Sequence, residues 1–133
     1  MSMKEKLVEA ARSVLERAYV PYSKFPVGSA LLMEDDEIIT GVNVENVSFG
    51  ATNCAERTAL FTAIAKGYPV KSVKAIAVAG ITQDYLSPCS ICRQVMVELC
   101  HPKTPVYLTR KDGMILETTV KELVPMAFDD MDI

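Results

Sequence analysis

Two short segments restrict the folds open to this chain: Cys54-Ala55-Glu56-Arg57 and Pro88-Cys89-Ser90-Ile91-Cys92. Thiols in two separated clusters gain a common purpose only if the fold brings them together. A catalytic zinc site takes three protein ligands and leaves its fourth position to water, whereas a structural site is closed by four. Water activated by zinc also needs a neighbouring group to move its protons. Glu56, two residues after the first thiol, is placed for that task. The sequence therefore predicts Zn2+ held by Cys54, Cys89 and Cys92, with Glu56 as the catalytic acid and base.

Local signals account for the spacing. Asn53 is a good N-cap, so Cys54 is expected to open a helix with Ala55, Ala59, Leu60, Ala63 and Ile64 on one face and Gly67 as its stop. Ser87 is a second N-cap candidate, with Pro88 at the first helical position. Cys89 and Cys92 then share one face of the first turns. Both helix N-termini would turn their positive ends towards the metal, which favours thiolate over thiol.

Plainer readings compete with these. Asn53-x-x-Glu56 also fits a capping box, which would make Glu56 a helix cap. Cys89-x-x-Cys92 alone fits a redox dithiol or half of a structural zinc site. The redox motif leaves Cys54 and Glu56 without a role, and a closed site needs a fourth ligand. Cys100 and His101 are the remaining candidates for it. On a continuous helix Cys100 lies about 12 Å along the axis from Cys92, too far to share the metal. They read instead as a buried thiol and a helix-end histidine. Arg57 could be a solvated helix charge. Zinc with three thiolates, however, carries a formal charge of about −1, a poor setting for acidifying water. A guanidinium donating to the ligand sulfurs would withdraw that charge.

The C-A-E-R and S-P-C-x-x-C-R-Q segments, Cys54 to Arg57 and Ser87 to Gln94, resemble the cytidine deaminase family in its small, three-cysteine form. The resemblance extends to Pro21-Tyr22-Ser23-Lys24-Phe25-Pro26-Val27-Gly28, Gly41-Val42-Asn43-Val44-Glu45-Asn46 and Glu122-Leu123-Val124-Pro125, nearly the whole chain. In zinc deaminases a glutamate that is not a ligand serves as general acid and base. The resemblance implies hydrolytic deamination of cytidine and 2′-deoxycytidine, with backbone groups at Ala55 and Ser87 contacting the base and the departing amine. It implies that Phe25 stacks on the pyrimidine and that Asn43 and Glu45 hold the ribose hydroxyls. From pattern alone, Asn43 and Glu45 would be an exposed polar face of a strand, and Phe25 would be core. Arg57 matches the family's charge-tuning arginine. The resemblance also implies a homotetramer in which Phe49 and Phe128 serve adjacent chains. Two positions depart from the family pattern: Phe49 stands where tyrosine is common, and Ser90-Ile91 replaces Gly-Ala between the paired cysteines.

Composition bears on the alternatives. The net charge of −3 argues against a nucleic-acid partner, since such proteins concentrate Lys and Arg. Editing of nucleic acid is therefore disfavoured. Deamination of a cytosine-containing antibiotic such as blasticidin S would use the same zinc site, and Asn43-Val44-Glu45-Asn46 favours the plain nucleoside. A structural zinc module is the non-enzymatic alternative. The longest apolar run, Ala75 to Ile81, is too short to span a bilayer. Lys4, Glu5 and Lys6 do not read as a signal peptide. Metal-binding thiols suit a reducing, cytoplasmic setting.

With 133 residues, half of them apolar, the chain is expected to form one domain, residues 1–133. Ser2 and Glu5 make a capping box ahead of Leu7, Ala11, Val14, Leu15 and Ala18 at helical spacing. Val27 to Met33 and Ile38 to Val44 read as strands around an acidic turn. Val73 to Ala79 reads as a strand buried on both faces. Two further strands, Val106 to Thr109 and Met114 to Thr118, precede a short helix near Lys121 to Val124. The expected fold is α/β: a three-layer α/β/α sandwich with a mixed five-stranded sheet.

Overall fold

A computed structural model describes residues 1–132. The elements run α1 (Met3–Ser13), β1 (Gly28–Met33), β2 (Ile38–Val42), α2 (Ala55–Ala65), β3 (Val73–Ala79), α3 (Ser90–Leu99), β4 (Pro105–Thr109), β5 (Ile115–Thr119) and α4 (Val120–Leu123). The strands form one sheet in the order β2-β1-β3-β4-β5. Only β3 and β4 are parallel, and α3 makes the crossover between them. The other neighbours pair antiparallel. The mixed five-stranded sheet is the one expected.

Strand periodicity sorts the core into two layers. Ala30 and Leu32 of β1 and Ala75, Ala77 and Ala79 of β3 pack against Leu7, Val8 and Ala11 of α1. Leu31, Met33, Ile76, Val78, Val106 and Leu108 face the opposite side, where Ala59, Leu60 and Ala63 of α2 and Met96 and Val97 of α3 cover them. Burial of both β3 faces explains its run of small and branched apolar residues, with Lys74 its one exposed position. Each fully buried leucine in these layers stabilises the fold by roughly 2 kcal/mol.

Two glycines bring helix backbone onto the sheet. A Cβ at Gly28 would lie 2.1 Å from Ala11 O, and one at Gly41 would lie 2.4 Å from Ala59 N and 2.5 Å from Ala55 O. Gly41 therefore sets the height at which the first turn of α2 rides over β2.

Several boundaries differ from the sequence reading. The Ser2–Glu5 capping box is present, yet α1 ends at Ser13, and Leu15–Arg17 forms a 3-10 turn. Cys54, not Asn53, is the N-cap of α2. The Asn53 amide instead donates to Thr58 Oγ1 at 3.1 Å. Cys89, not Ser87, is the N-cap of α3 and accepts from Cys92 N–H. Ser87 Oγ instead accepts from the Arg93 guanidinium at 2.7 Å. Strand β2 stops at Val42, leaving Asn43 and Glu45 beyond the sheet. Val44 makes isolated bridges with Tyr19 and Asn53. Gly67, at φ 95°, follows the last turn of α2 as expected.

Gly41→Ala should lower stability by about 1–3 kcal/mol, because the new methyl meets backbone that cannot step aside. Gly50→Ala, with open space around its Cβ, should change it by less than about 1 kcal/mol. Paired urea titrations measure both; equal effects would contradict the close approach of α2.

Candidate active site

The three predicted thiols meet at two helix N-termini. Cys54 Sγ and Cys89 Sγ are 3.7 Å apart, and the sulfurs of Cys54, Cys89 and Cys92 all lie within 4.8 Å of one another. A tetrahedral centre with sulfur at about 2.3 Å would separate its ligands by about 3.8 Å. The donor set therefore fits zinc in both chemistry and spacing. Among the described residues it is the one such cluster of His, Cys, Asp or Glu.

Helix geometry produces this convergence. Two strands of main-chain bonds lead into α2: Val44 N–H to Asn53 O and Asn53 N–H to Val44 O, both 2.9 Å. The chain then turns at Cys54, whose backbone is extended, and starts the helix at Ala55. At the other cluster Arg93 clamps the entry loop, donating to Pro88 O at 2.8 Å and Leu123 O at 3.1 Å. Arg93 was not singled out from sequence, since two of its three partners are main-chain carbonyls and the third, Ser87 Oγ, reads locally as a cap. Cys100 is fully buried at the far end of α3, outside the cluster. His101 is exposed beyond that helix, and its Nδ1 accepts from Lys103 N–H at 3.2 Å.

Arg57 spans the thiol pair. Its Nε donates to Cys92 Sγ at 3.4 Å, and its Nη2 donates to Cys54 Sγ at 3.3 Å. It is thus fixed on the sulfurs. A hydrogen bond from Cys92 holds the Cys54 thiol down at about 5 despite partial burial, with Arg57 and Cys89 assisting. The same pairing with Cys54, together with burial, pushes the Cys92 thiol far up. Burial opposes the charge of Arg57, but the two sulfurs outweigh it and raise its pKa.

Glu56 occupies the second position of α2 and is 4% exposed. Its side chain does not take part in a capping box, since Cys54 is the cap. Burial raises its pKa to about 7, and the neighbouring Cys54 charge pushes the same way. A hollow of about 210 Å³ lies over it, lined by Phe25, Val27, Asn43, Cys54, Ala55, Glu56, Leu86, Ser87 and Cys89. Val27 and Leu86 were missed from sequence because an isolated aliphatic residue has no chemical signature.

Asn43 and Glu45 do not share one face as a strand would have arranged. Asn43 lines the Glu56 hollow. Its Oδ1 accepts from Val27 N–H at 2.9 Å, and its Nδ2 donates to Phe25 O at 2.8 Å. Glu45 lines a second hollow of about 310 Å³ with Tyr22, Ser23, Asn46, Phe49 and Thr52. Phe49 is 79% exposed and meets Tyr22 edge to face, with ring centroids 6.4 Å apart. Phe128 is also exposed; its carbonyl accepts from Gln94 Nε2 at 2.8 Å, which ties the C-terminal segment to α3.

Two predictions follow the geometry. Cys54→Ala, Cys89→Ala or Cys92→Ala should each lose stoichiometric zinc, whereas Cys100→Ala should keep it, as metal analysis would read. In zinc-free protein, Glu56 is mostly neutral in the folded and unfolded states below about pH 4, so no charge is buried there. Above about pH 7 it must ionise in a buried setting, and stability is lost between those limits. Zinc-free Glu56→Gln should therefore gain on zinc-free wild type by roughly 3 kcal/mol as pH rises from 4 to 8. Urea titrations across that range test this, and a constant difference would contradict it.

Comparison with known proteins agrees with this site. The description "Cytidine and deoxycytidylate deaminase zinc-binding region" matches residues 1–109. The chain is similar to a cytidine deaminase of Sporosarcina psychrophila, 53% identical over 97% of this chain and 93% of that protein. A cytidine deaminase of Halalkalibacterium halodurans is 52% identical over 98% of this chain and 97% of its own length. The crystal structure of cytidine deaminase from Burkholderia pseudomallei superposes with a TM-score of 0.92 at 48% identity, covering 96% of this chain and all of that one. The Mycobacterium leprae enzyme gives 0.80 at 33% identity, over 95% and 100%. With its three thiols, buried glutamate and sheet order, the chain belongs to the cytidine and deoxycytidylate deaminase family of zinc-binding proteins.

Proposed function

We propose that this protein catalyses the hydrolytic deamination of cytidine and 2′-deoxycytidine, releasing ammonia and leaving uridine and 2′-deoxyuridine. The observation that carries this reading is the buried Glu56 beside the three-thiol cluster, at the floor of a hollow flanked by Phe25 and Asn43. The relatives and structures compared are all named cytidine deaminases, which favours the plain nucleoside over an antibiotic such as blasticidin S.

Cys54, Cys89 and Cys92 would hold Zn2+, which would supply the Lewis acidity that activates water. Glu56 takes the proton from the attacking water and delivers it to N3 of the base as C4 becomes tetrahedral. It then takes the proton of the new C4 hydroxyl and passes it to the amine, so that the C4–N bond breaks and ammonia leaves as the C4 carbonyl forms. Burial, which pushes the Glu56 carboxyl up from its ordinary range, suits it to both tasks within one turnover. Arg57 draws charge from the Cys54 and Cys92 sulfurs, keeping the site electrophilic. Phe25 stacks on the pyrimidine, while backbone groups of Ala55 and Ser87 meet its edge and the leaving amine. Asn43 and Glu45 hold the ribose hydroxyls, since both accept from O–H and the amide also donates.

We further propose that residues 1–133 act as one deaminase domain within a homotetramer. The hollow of about 210 Å³ is smaller than the roughly 300–1,000 Å³ usual for ligand sites, which favours a site enlarged by an adjacent chain. Exposed Phe49 and Phe128 supply apolar surface that an adjacent chain's nucleoside would cover. Phe49 then acts through packing, having no hydroxyl to offer. Among the described residues no helix is long and apolar enough to cross a membrane, and the thiol ligands suit the reducing cytoplasm. Small nucleosides, not nucleic acids or membranes, are the partners.

Zinc-loaded protein should deplete cytidine absorbance and leave blasticidin S unchanged. Glu56→Gln should retain zinc and lose about 100- to 10,000-fold in kcat. Near-normal turnover by that variant would contradict the proton-carrier role. Sedimentation at assay concentration should show a tetramer, and a fully active monomer would contradict the shared site.

A further inference from the structure

Ser23 has no role in the mechanism above, yet its hydroxyl joins two parts of the site. It donates to Glu45 Oε2 and accepts from Phe25 N–H at 3.0 Å. The Phe25 N–H occupies a lone pair of the serine oxygen, so the hydroxyl proton is directed at the carboxylate. Glu45 Oε1 accepts two backbone N–H groups, from Tyr22 and Ser23, each at 3.1 Å. All three donors come from one turn, closed by Lys24 N–H to Val20 O at 3.0 Å. That turn holds Lys24 at φ 57°, a conformation uncommon outside Gly, Asn and Asp. A main chain held in that conformation, with three donors aimed at one carboxylate, has its geometry committed before substrate arrives.

The lone-pair count then sharpens what Glu45 can read. A carboxylate has about four acceptor positions. Two on Oε1 are filled by main-chain N–H groups, and Ser23 fills one on Oε2. The remaining position is on Oε2, and its direction depends on where Ser23 sits.

We propose that Ser23 is a positioning residue that orients Glu45 so that the free acceptor of Oε2 receives one sugar hydroxyl. This rests on the reading of Glu45 as a sugar contact. The hydrogen bond from Ser23 is also the main influence lowering the Glu45 pKa. Ser23 also accepts from Phe25 N–H, but the base side of the site has a second anchor. Asn43 independently holds Phe25 O and Val27 N–H, at 2.8 and 2.9 Å. Loss of the serine hydroxyl should therefore be felt more at the sugar than at the pyrimidine.

The test compares cytidine with 2′,3′-dideoxycytidine, which lacks both hydroxyls, using zinc-loaded tetrameric or native-state protein and its Ser23 variants. Ser23→Ala should raise KM for cytidine about 10-fold with little change in kcat, and KM for the dideoxynucleoside by less than about 2-fold. Ser23→Thr, which keeps the hydroxyl, should restore the cytidine KM. Ser23→Cys, a weaker donor, should fall between. Ser23 is exposed, and unchanged zinc content and thermal midpoint would show that the fold is intact. Equal KM increases for both nucleosides, or none for either, would overturn the inference. Wild-type protein that leaves cytidine untouched would overturn the deaminase reading, and this inference with it.

Discussion

Holding three sulfurs against one another is the constraint on which the rest of this structure depends. At the 3.7 Å that separates Cys54 and Cys89 Sγ, two metal-ligating thiolates would repel by on the order of 4 kcal/mol at an effective dielectric constant of about 20. Without counter-charge, the cluster would protonate or drift apart. The fold answers with two helix N-termini, capped by Cys54 and Cys89, and with Arg57 donating to Cys54 and Cys92. Bound zinc would complete the neutralisation. The same arrangement keeps the centre from becoming too electron-rich to activate water, so charge balance serves stability and chemistry together.

That balance requires α2 and α3 to be set accurately on the sheet. Gly41 lets α2 approach β2 closely, and the alanines of β3 allow α1 to close the other face. The first turn of α2 is then fixed in height, and Glu56 on it is buried with its pKa raised. At α3, Arg93 ties the entry loop to the carbonyl of Leu123. The short C-terminal helix thus helps to position a metal ligand more than thirty residues earlier in the chain.

Much of this was readable in the sequence. The strand β3 has the predicted bounds, and the Ser2–Glu5 cap and the Gly67 stop are where local chemistry puts them. The grouping of Cys54, Cys89 and Cys92 was legible because metal chemistry demands partners for isolated thiols. The errors lie where a residue's partner comes from elsewhere. Asn53 and Ser87 are strong cap formers, but Thr58 and Arg93 take their side chains, and cysteines cap instead. Period-two spacing suggested that Asn43 and Glu45 share a strand face. The strand ends at Val42, and main-chain groups of the 22–27 segment draw the two side chains into different hollows. No local pattern encodes those amides.

The central claim is a three-sulfur zinc centre whose fourth position belongs to the reaction and not to the protein. X-ray absorption at the zinc edge of the purified, metal-loaded protein tests it most directly. The account predicts three sulfur scatterers at about 2.3 Å and one lighter donor at about 2.0 Å. Four sulfurs would contradict it, making the cluster a closed structural site and leaving the buried Glu56 without a reaction to serve.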